Sequence, residues 1–178
     1  MPPNLQKVNK NSELIIPIKG LGIGDHHYDF VIGDSFFESF ESLDILDGKV
    51  DLSLDLEKES NLLSFLFDFS GNVQLTCDRC LDEYNQPVEG DFRLIVKYGE
   101  EFQEISDELI EIPFTEHRFD LSQYIYEYIQ MMLPLKHVHP DDESGNSTCK
   151  PEMLQKLNEL SKPETDPRWD ALLKMKKK

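Results

Sequence analysis

Hydrophobic and polar residues alternate strictly along residues 50–57, and this pattern limits most strongly what the chain can fold into. The apolar positions are Val50, Leu52, Leu54 and Leu56, and acidic or hydroxyl side chains stand between them. Successive side chains of a β-strand point to opposite faces of the sheet. The pattern therefore predicts a strand with one buried face and one solvated, acidic face.

The same period of two recurs in residues 63–69, 73–75 and 92–98. Shorter apolar runs at 12–18 and 25–32 flank a glycine-rich turn, and Gly71-Asn72 is expected to bend the chain. Long β-segments joined by short turns predict an antiparallel sheet over residues 12–112. The acidic stretch at 99–111 is interpreted as a solvated loop within this region, not as a carboxylate site.

The period changes to three and four after Asp120, which predicts an amphipathic helix over residues 120–133. Asp120 is the expected N-cap, Gln123 its capping-box partner, and Pro134 the stop. We place the tyrosine-rich stripe of this helix against the sheet. The predicted fold is therefore α+β: an antiparallel sheet closed by an amphipathic helix.

The C-terminal part has a different composition, and the chain is divided into a β-rich domain at 1–138 and a segment at 139–178. Residues 140–147 have the composition of a flexible loop, and Met153 to Leu160 indicate a short helix. Asp166 and Pro167 suit the N-cap and first position of a last helical turn. This helical segment is expected to be loosely attached.

The net charge of the 178 residues is −17, and it is unevenly distributed. Residues 1–140 hold 10 Lys+Arg against 27 Asp+Glu, whereas residues 141–178 hold 8 of each. An acidic surface repels phosphate, so a basic protein is the expected partner. Positive charge is concentrated only at the C-terminus, and the candidate contacts with RNA are Lys174, Lys176, Lys177 and Lys178. The absence of a signal-like or membrane-length apolar run suggests a cytoplasmic protein with no membrane association.

The cysteines offer the only concentrated chemistry, in the tetrapeptide Cys77-Asp-Arg-Cys80. One interpretation is a zinc site completed by Cys149 and by His139 or His137, since thiolate and imidazole are preferred zinc ligands. A second is a thiol redox pair, with Arg79 lowering a thiol pKa. A third gives the cysteines only a structural role in a tight hairpin turn. No catalytic constellation or small-molecule site is evident, so the chain is not expected to be an enzyme.

The order of these motifs resembles the YceD-like family, the large ribosomal RNA subunit accumulation proteins of bacteria and plastids. The similarity covers about residues 50–175. It rests on Cys77-Asp-Arg-Cys80-Leu81, a helix opening at Asp120-Leu121 and ending at Leu133-Pro134, a histidine-containing stretch to Cys149, and Asp166-Pro167-Arg168-Trp169. No recognised motif covers residues 1–49.

The resemblance implies a non-enzymatic role in the synthesis, processing or stability of the 23S rRNA of the large ribosomal subunit. It assigns Cys77, Arg79, Cys80 and Leu81 to a first family motif, and Asp166, Pro167, Arg168 and Trp169 to a last one. Combined with the acidic charge, it favours a basic ribosomal protein or a large-subunit assembly intermediate as the partner. A thiol redox protein and a zinc-stabilised interaction module unrelated to ribosomes are the alternatives.

Overall fold

A computed structural model describes residues 14–40 and 45–161. The C-terminal motif 166–169 and the lysines at 174–178 lie outside these residues. The described chain contains eight strands and three helices. They are β1 (Ile15–Ile16), β2 (Gly24–Ile32), α1 (Asp34–Ser39), β3 (Ile45–Lys58), β4 (Leu62–Thr76), β5 (Glu83–Gly99), β6 (Gln103–Ser106), β7 (Leu109–Pro113), β8 (Phe119–Asp120), α2 (Ser122–Met132) and α3 (Pro151–Leu160).

The chain forms two compact units, of residues 1–76 with 83–137 and of residues 77–82 with 138–178. The first, called the sheet unit, contains all of the described strands together with α1 and α2. The second, called the cysteine unit, contains the Cys77–Asp82 turn, the chain from Val138 onwards and α3. The earlier division at residue 138 stays a prediction.

The sheet unit is built on six strands in the order β2-β3-β4-β5-β7-β6, and a separate pair joins β1 to β8. All neighbouring strands of the large sheet are antiparallel except β5 and β7, which are parallel. The predicted α+β class and mostly antiparallel sheet are confirmed. Among the described residues, no helix is long and apolar enough to span a membrane.

The alternation in β3 places Val50, Leu52, Leu54 and Leu56 on the inner face, where each is at most 1% exposed. Phe65, Phe67 and Phe69 of β4 lie on the same face and are equally buried. Complete burial of one such side chain contributes about 1.5–3 kcal/mol. The inner face of the sheet is therefore the main source of stability in this unit.

Helix α2 covers the inner face, as the tyrosine stripe predicts. Ile125, Tyr128 and Ile129 are its buried residues. The Tyr128 ring stacks on Phe92 of β5 at 4.4 Å between centroids and meets Phe67 edge-on at 5.2 Å. Burial raises the pKa of Tyr128 to about 12.

The predicted capping box at the start of α2 is wrong. The helix begins at Ser122, because Phe119 and Asp120 pair with Ile16 and Ile15 as β8. Asp120 accepts a hydrogen bond from the Ser122 amide at 2.8 Å. The Gln123 side chain instead donates to Glu127 one turn further on.

The prediction of a solvated loop at 99–111 is also wrong, because residues 103–106 and 109–113 form β6 and β7. Ile110 and Ile112 are buried, and the acidic side chains between and around them obscure this short alternation. All four residues of β6 are exposed, as an edge strand allows.

The bend predicted at Gly71-Asn72 is absent, since β4 continues through both residues. A Cβ on Gly71 would lie 2.6 Å from the Cα of Val50 in β3. Gly71 therefore permits a close approach of two neighbouring strands and does not mark a turn.

Candidate metal centre

The cysteine unit is organised around a tight turn at Cys77–Asp82. The Leu81 amide donates to the carbonyl of Cys77 at 2.9 Å, and the Cys77 amide donates to the carbonyl of Asp82 at 2.8 Å. Leu81 has a φ of 62°, in the left-handed region that a leucine rarely adopts. This backbone path brings both cysteine side chains to the same side of the turn.

A second loop, at residues 139–149, supplies the other ligand candidates. Asp141 and Ser147 form a β-bridge across it. Within the loop, the carboxylate of Asp142 accepts hydrogen bonds from the amides of Ser144 and Asn146 at 2.9 and 2.8 Å. These contacts make a compact turn that presents His139 and Cys149 close together.

Arg79 joins the two loops. Its guanidinium donates to the Ser147 hydroxyl at 3.0 Å, and the same hydroxyl accepts from the Cys149 amide at 3.3 Å. Lys150 adds an ion pair to Asp82. Arg79, inside the Cys-x-x-Cys motif, therefore helps to fix the position of the loop that carries Cys149.

The donor atoms of Cys77, Cys80, His139 and Cys149 all lie within 4.8 Å of one another. The Sγ atoms of Cys77 and Cys149 are 3.7 Å apart, and His139 Nδ1 lies 3.4 Å from Cys80 Sγ and 3.7 Å from Cys149 Sγ. A tetrahedral zinc ion requires separations of about 3.8 Å between two sulfurs and about 3.5 Å between sulfur and nitrogen. The residues present fit zinc in both donor chemistry and spacing.

The three thiols are buried, at 0, 4 and 3% exposure for Cys77, Cys80 and Cys149. Burial by itself raises the pKa of Cys77, but hydrogen bonds from the Cys80 amide, the His139 side chain and the Arg79 amide lower it to about 6. The pKa of Cys80 is raised, mainly by burial and further by the neighbouring thiols. The lowered pKa of Cys77 favours its thiolate form, and metal binding requires deprotonated sulfur.

The structure thus brings together Cys77, Cys80, Cys149 and His139, the candidate ligands predicted from the sequence, and His137 is not part of the described cluster. A four-donor group of this kind favours metal binding over the redox interpretation. Redox Cys-x-x-Cys pairs lie at helix N-termini. Cys77 and Cys80 instead lie in a turn between two strands, β4 and β5.

Sequence reasoning missed the residues that hold the ligands in place, namely Asp142, Ser147 and the Asp82–Lys150 pair. Their partners lie up to 68 positions away in the sequence. Asp142-x-x-Gly145, with Gly145 at a φ of 79°, was a detectable local turn signal. The contacts of Arg79 and Lys150 had no such signal.

The fold and this site define an α+β protein with a Cys3His cluster. Residues 66–176 match the family model described as Large ribosomal RNA subunit accumulation protein YceD. The match covers more than half of the chain, so the protein belongs to the YceD family, and the suspected resemblance is confirmed. This family is associated with ribosome assembly and has no known catalytic activity. No curated protein and no solved structure matches the chain significantly.

Proposed function

We propose that this protein supports the synthesis, processing or stability of 23S rRNA by binding a basic ribosomal protein or a large-subunit assembly intermediate. Membership of a family linked to large-subunit rRNA accumulation carries the proposal. Binding, not catalysis, is the mode of action. The Cys3His cluster is a compact group with the donor set of a structural zinc site.

In this proposal Cys77, Cys80, His139 and Cys149 hold a zinc ion, which when bound cross-links the two loops of the cysteine unit. Arg79 is a positioning residue, since its bond to Ser147 orients the Cys149 loop. Leu81, in contrast to these residues, is proposed to contact the partner. It is 70% exposed beside a buried cluster and is available to touch a partner.

The charge of the sheet unit supports a basic partner. The outer face of the sheet, opposite α2, carries exposed or half-exposed carboxylates from four adjacent strands. They are Asp25, Asp29, Asp51, Asp55, Glu57, Asp68, Glu89 and Asp91. Asp68 and Asp91 are direct cross-strand neighbours, an arrangement that destabilises a sheet unless a cation approaches. Each phosphate contact would instead need a Lys or Arg.

Deletion of the gene tests this function. We expect reduced 23S rRNA and fewer large subunits relative to 16S rRNA, with recovery when the wild-type chain is restored. Affinity capture with the full chain should retain ribosomal proteins after nuclease treatment and release them as salt is raised. Normal 23S rRNA in the deletion strain would refute the proposed function.

A further inference from the structure

The outer face of the sheet contains a groove of about 510 Å³ across strands β2, β3 and β4. The strand register sets Asp25 opposite Glu57 and Glu57 opposite Ser64. One step along, His27 lies opposite Asp55 and Asp55 opposite Leu66. These two adjacent rows of cross-strand neighbours therefore form the walls and the floor of the groove.

The negative charge in this groove is only partly compensated. His27 contacts Asp55 at 2.7 Å. Asp25 and Glu57 face each other directly, and neither forms an ion pair with any residue that the structure describes. Like charges in directly opposite positions destabilise a sheet. A cation from outside the described chain would relieve that repulsion.

Two further residues form the floor of the groove. Leu66 is 52% exposed and lines the groove, with Asp55 of β3 and Arg93 of β5 as its cross-strand neighbours. Ser64 is only 8% exposed, lines the groove, and its hydroxyl makes no hydrogen bond within residues 14–40 and 45–161. The Ser64 hydroxyl can therefore accept a hydrogen bond from a ligand that enters the groove.

Leu66 offers apolar surface next to carboxylates and to the acceptor oxygen of Ser64. This combination suits a side chain that has an apolar stem and a cationic head. Lysine and arginine have an apolar stem and a cationic head with several donors. We infer that the groove binds a lysine or arginine side chain from a basic segment of a protein partner. The stem lies on Leu66, and the head donates to Asp25, Glu57 and the Ser64 hydroxyl. This inference rests on the proposed function and assigns it a contact surface.

The test uses the full chain and a fluorescently labelled peptide in which lysine alternates with serine, with affinity read from fluorescence anisotropy at low and moderate salt. The double variant Asp25→Asn/Glu57→Gln should lose about tenfold in affinity. The matched control Glu100→Gln/Glu101→Gln removes the same charge from an exposed turn and should lose less than about twofold. Equal losses of affinity in both variants would refute peptide binding in the groove, since net charge alone would then explain binding.

A Ser64→Ala variant separates hydrogen bonding from charge, because it leaves the net charge unchanged. We expect its affinity for the same peptide to fall by about threefold to tenfold, as for the loss of one hydrogen bond to a charged group. Unchanged affinity would overturn the assigned floor of the groove. A labelled single-stranded RNA that bound at these residues, with no binding of the peptide, would overturn a protein partner.

The two proposals can fail separately. If the deletion strain lacks 23S rRNA but the peptide binds wild type and groove variant equally, the groove is wrong and the function stands. If the peptide binds through the groove but 23S rRNA is normal in the deletion strain, the function is wrong.

Discussion

The sheet unit and the cysteine unit are stabilised by different physical means. The sheet unit buries a continuous layer of Leu, Ile, Val and Phe side chains between the sheet and α2. In the described part of the cysteine unit the buried residues are the three cysteines, and α3 has none. A small unit with so little apolar burial usually needs a metal or disulfide to hold its shape. The contrast is in line with the proposed zinc ion in the cysteine unit and with hydrophobic packing in the sheet unit.

Metal removal should give the largest effect and should act on the cysteine unit alone. We expect the purified chain to hold one zinc ion, with chelation abolishing amide protection in 77–82 and 138–150 while β3 and β4 stay protected. Structural zinc sites contribute about 10–16 kcal/mol in apparent free energy. Metal content and hydrogen exchange measure the two effects.

Two histidines provide a matched pair for this experiment. His139→Gln removes a cluster member and should release zinc at lower chelator concentration, whereas His137→Gln, two residues earlier, should not. Equal zinc retention in both variants would remove His139 from the ligand set.

Truncation of a core side chain should destabilise the sheet unit and leave the zinc content of the cysteine unit unchanged. Leu54 is fully buried in β3, so Leu54→Ala should lower the free energy of unfolding of the sheet unit by about 2–5 kcal/mol. Urea unfolding followed by circular dichroism measures this change. Zinc content should stay at the wild-type level. Loss of zinc in Leu54→Ala would show that the two units do not have separate sources of stability.

A smaller effect is expected at Leu81, whose backbone has a φ of 62°. Leu81→Gly should relieve the left-handed conformation and stabilise the turn by about 1 kcal/mol. Zinc should then resist a competing chelator about fivefold better. Leu81→Ala keeps the Cβ and should bring no gain, so equal improvement in both variants would contradict backbone strain as the cause.

The smallest effect is expected at His27 on the outer face. The hydrogen bond to Asp55 raises its pKa, burial lowers it, and the charges of Asp29 and Asp55 raise it further, so the net direction is up. A raised folded pKa stabilises the fold at pH values below the unfolded pKa of about 6.5, and this contribution is lost as pH rises through the folded pKa. Asp25 and Glu57 also border this site.

Comparing the urea midpoints of wild type and His27→Gln across this range checks that direction. The wild type should have its advantage at acidic pH and lose it at alkaline pH. An advantage that grows with pH would contradict the assignment.

Local patterns predicted much of the fold. Alternation identified β3, the phenylalanine-rich β4 and β5, and the three-four spacing identified α2. Sequence reasoning failed where contacts between strands decide the outcome. Gly71 reads as a turn residue, yet β3 lies too close for any side chain there. Asp120 reads as a helix cap, yet its backbone pairs with Ile15.

At the candidate site the sequence supplied the ligand types and one fixed spacing, since two residues between cysteines place both thiols in a single turn. It offered His137 as well as His139 and could not show that Cys149 comes within 3.7 Å of Cys77. That closure depends on Arg79, Ser147, Asp82 and Lys150, whose pairing joins residues far apart in the chain.

The outer-face groove also separates what the sequence determines from what the tertiary structure decides. The sequence by itself determined that one face of β3 is acidic, because a period of two fixes which side chains share a face. Only the tertiary structure decided which acidic residues meet, because strand register sets Asp25 against Glu57 and Glu57 against Ser64. Register arises from pairing over the whole sheet and has no local signature, whereas alternation is a property of each strand alone.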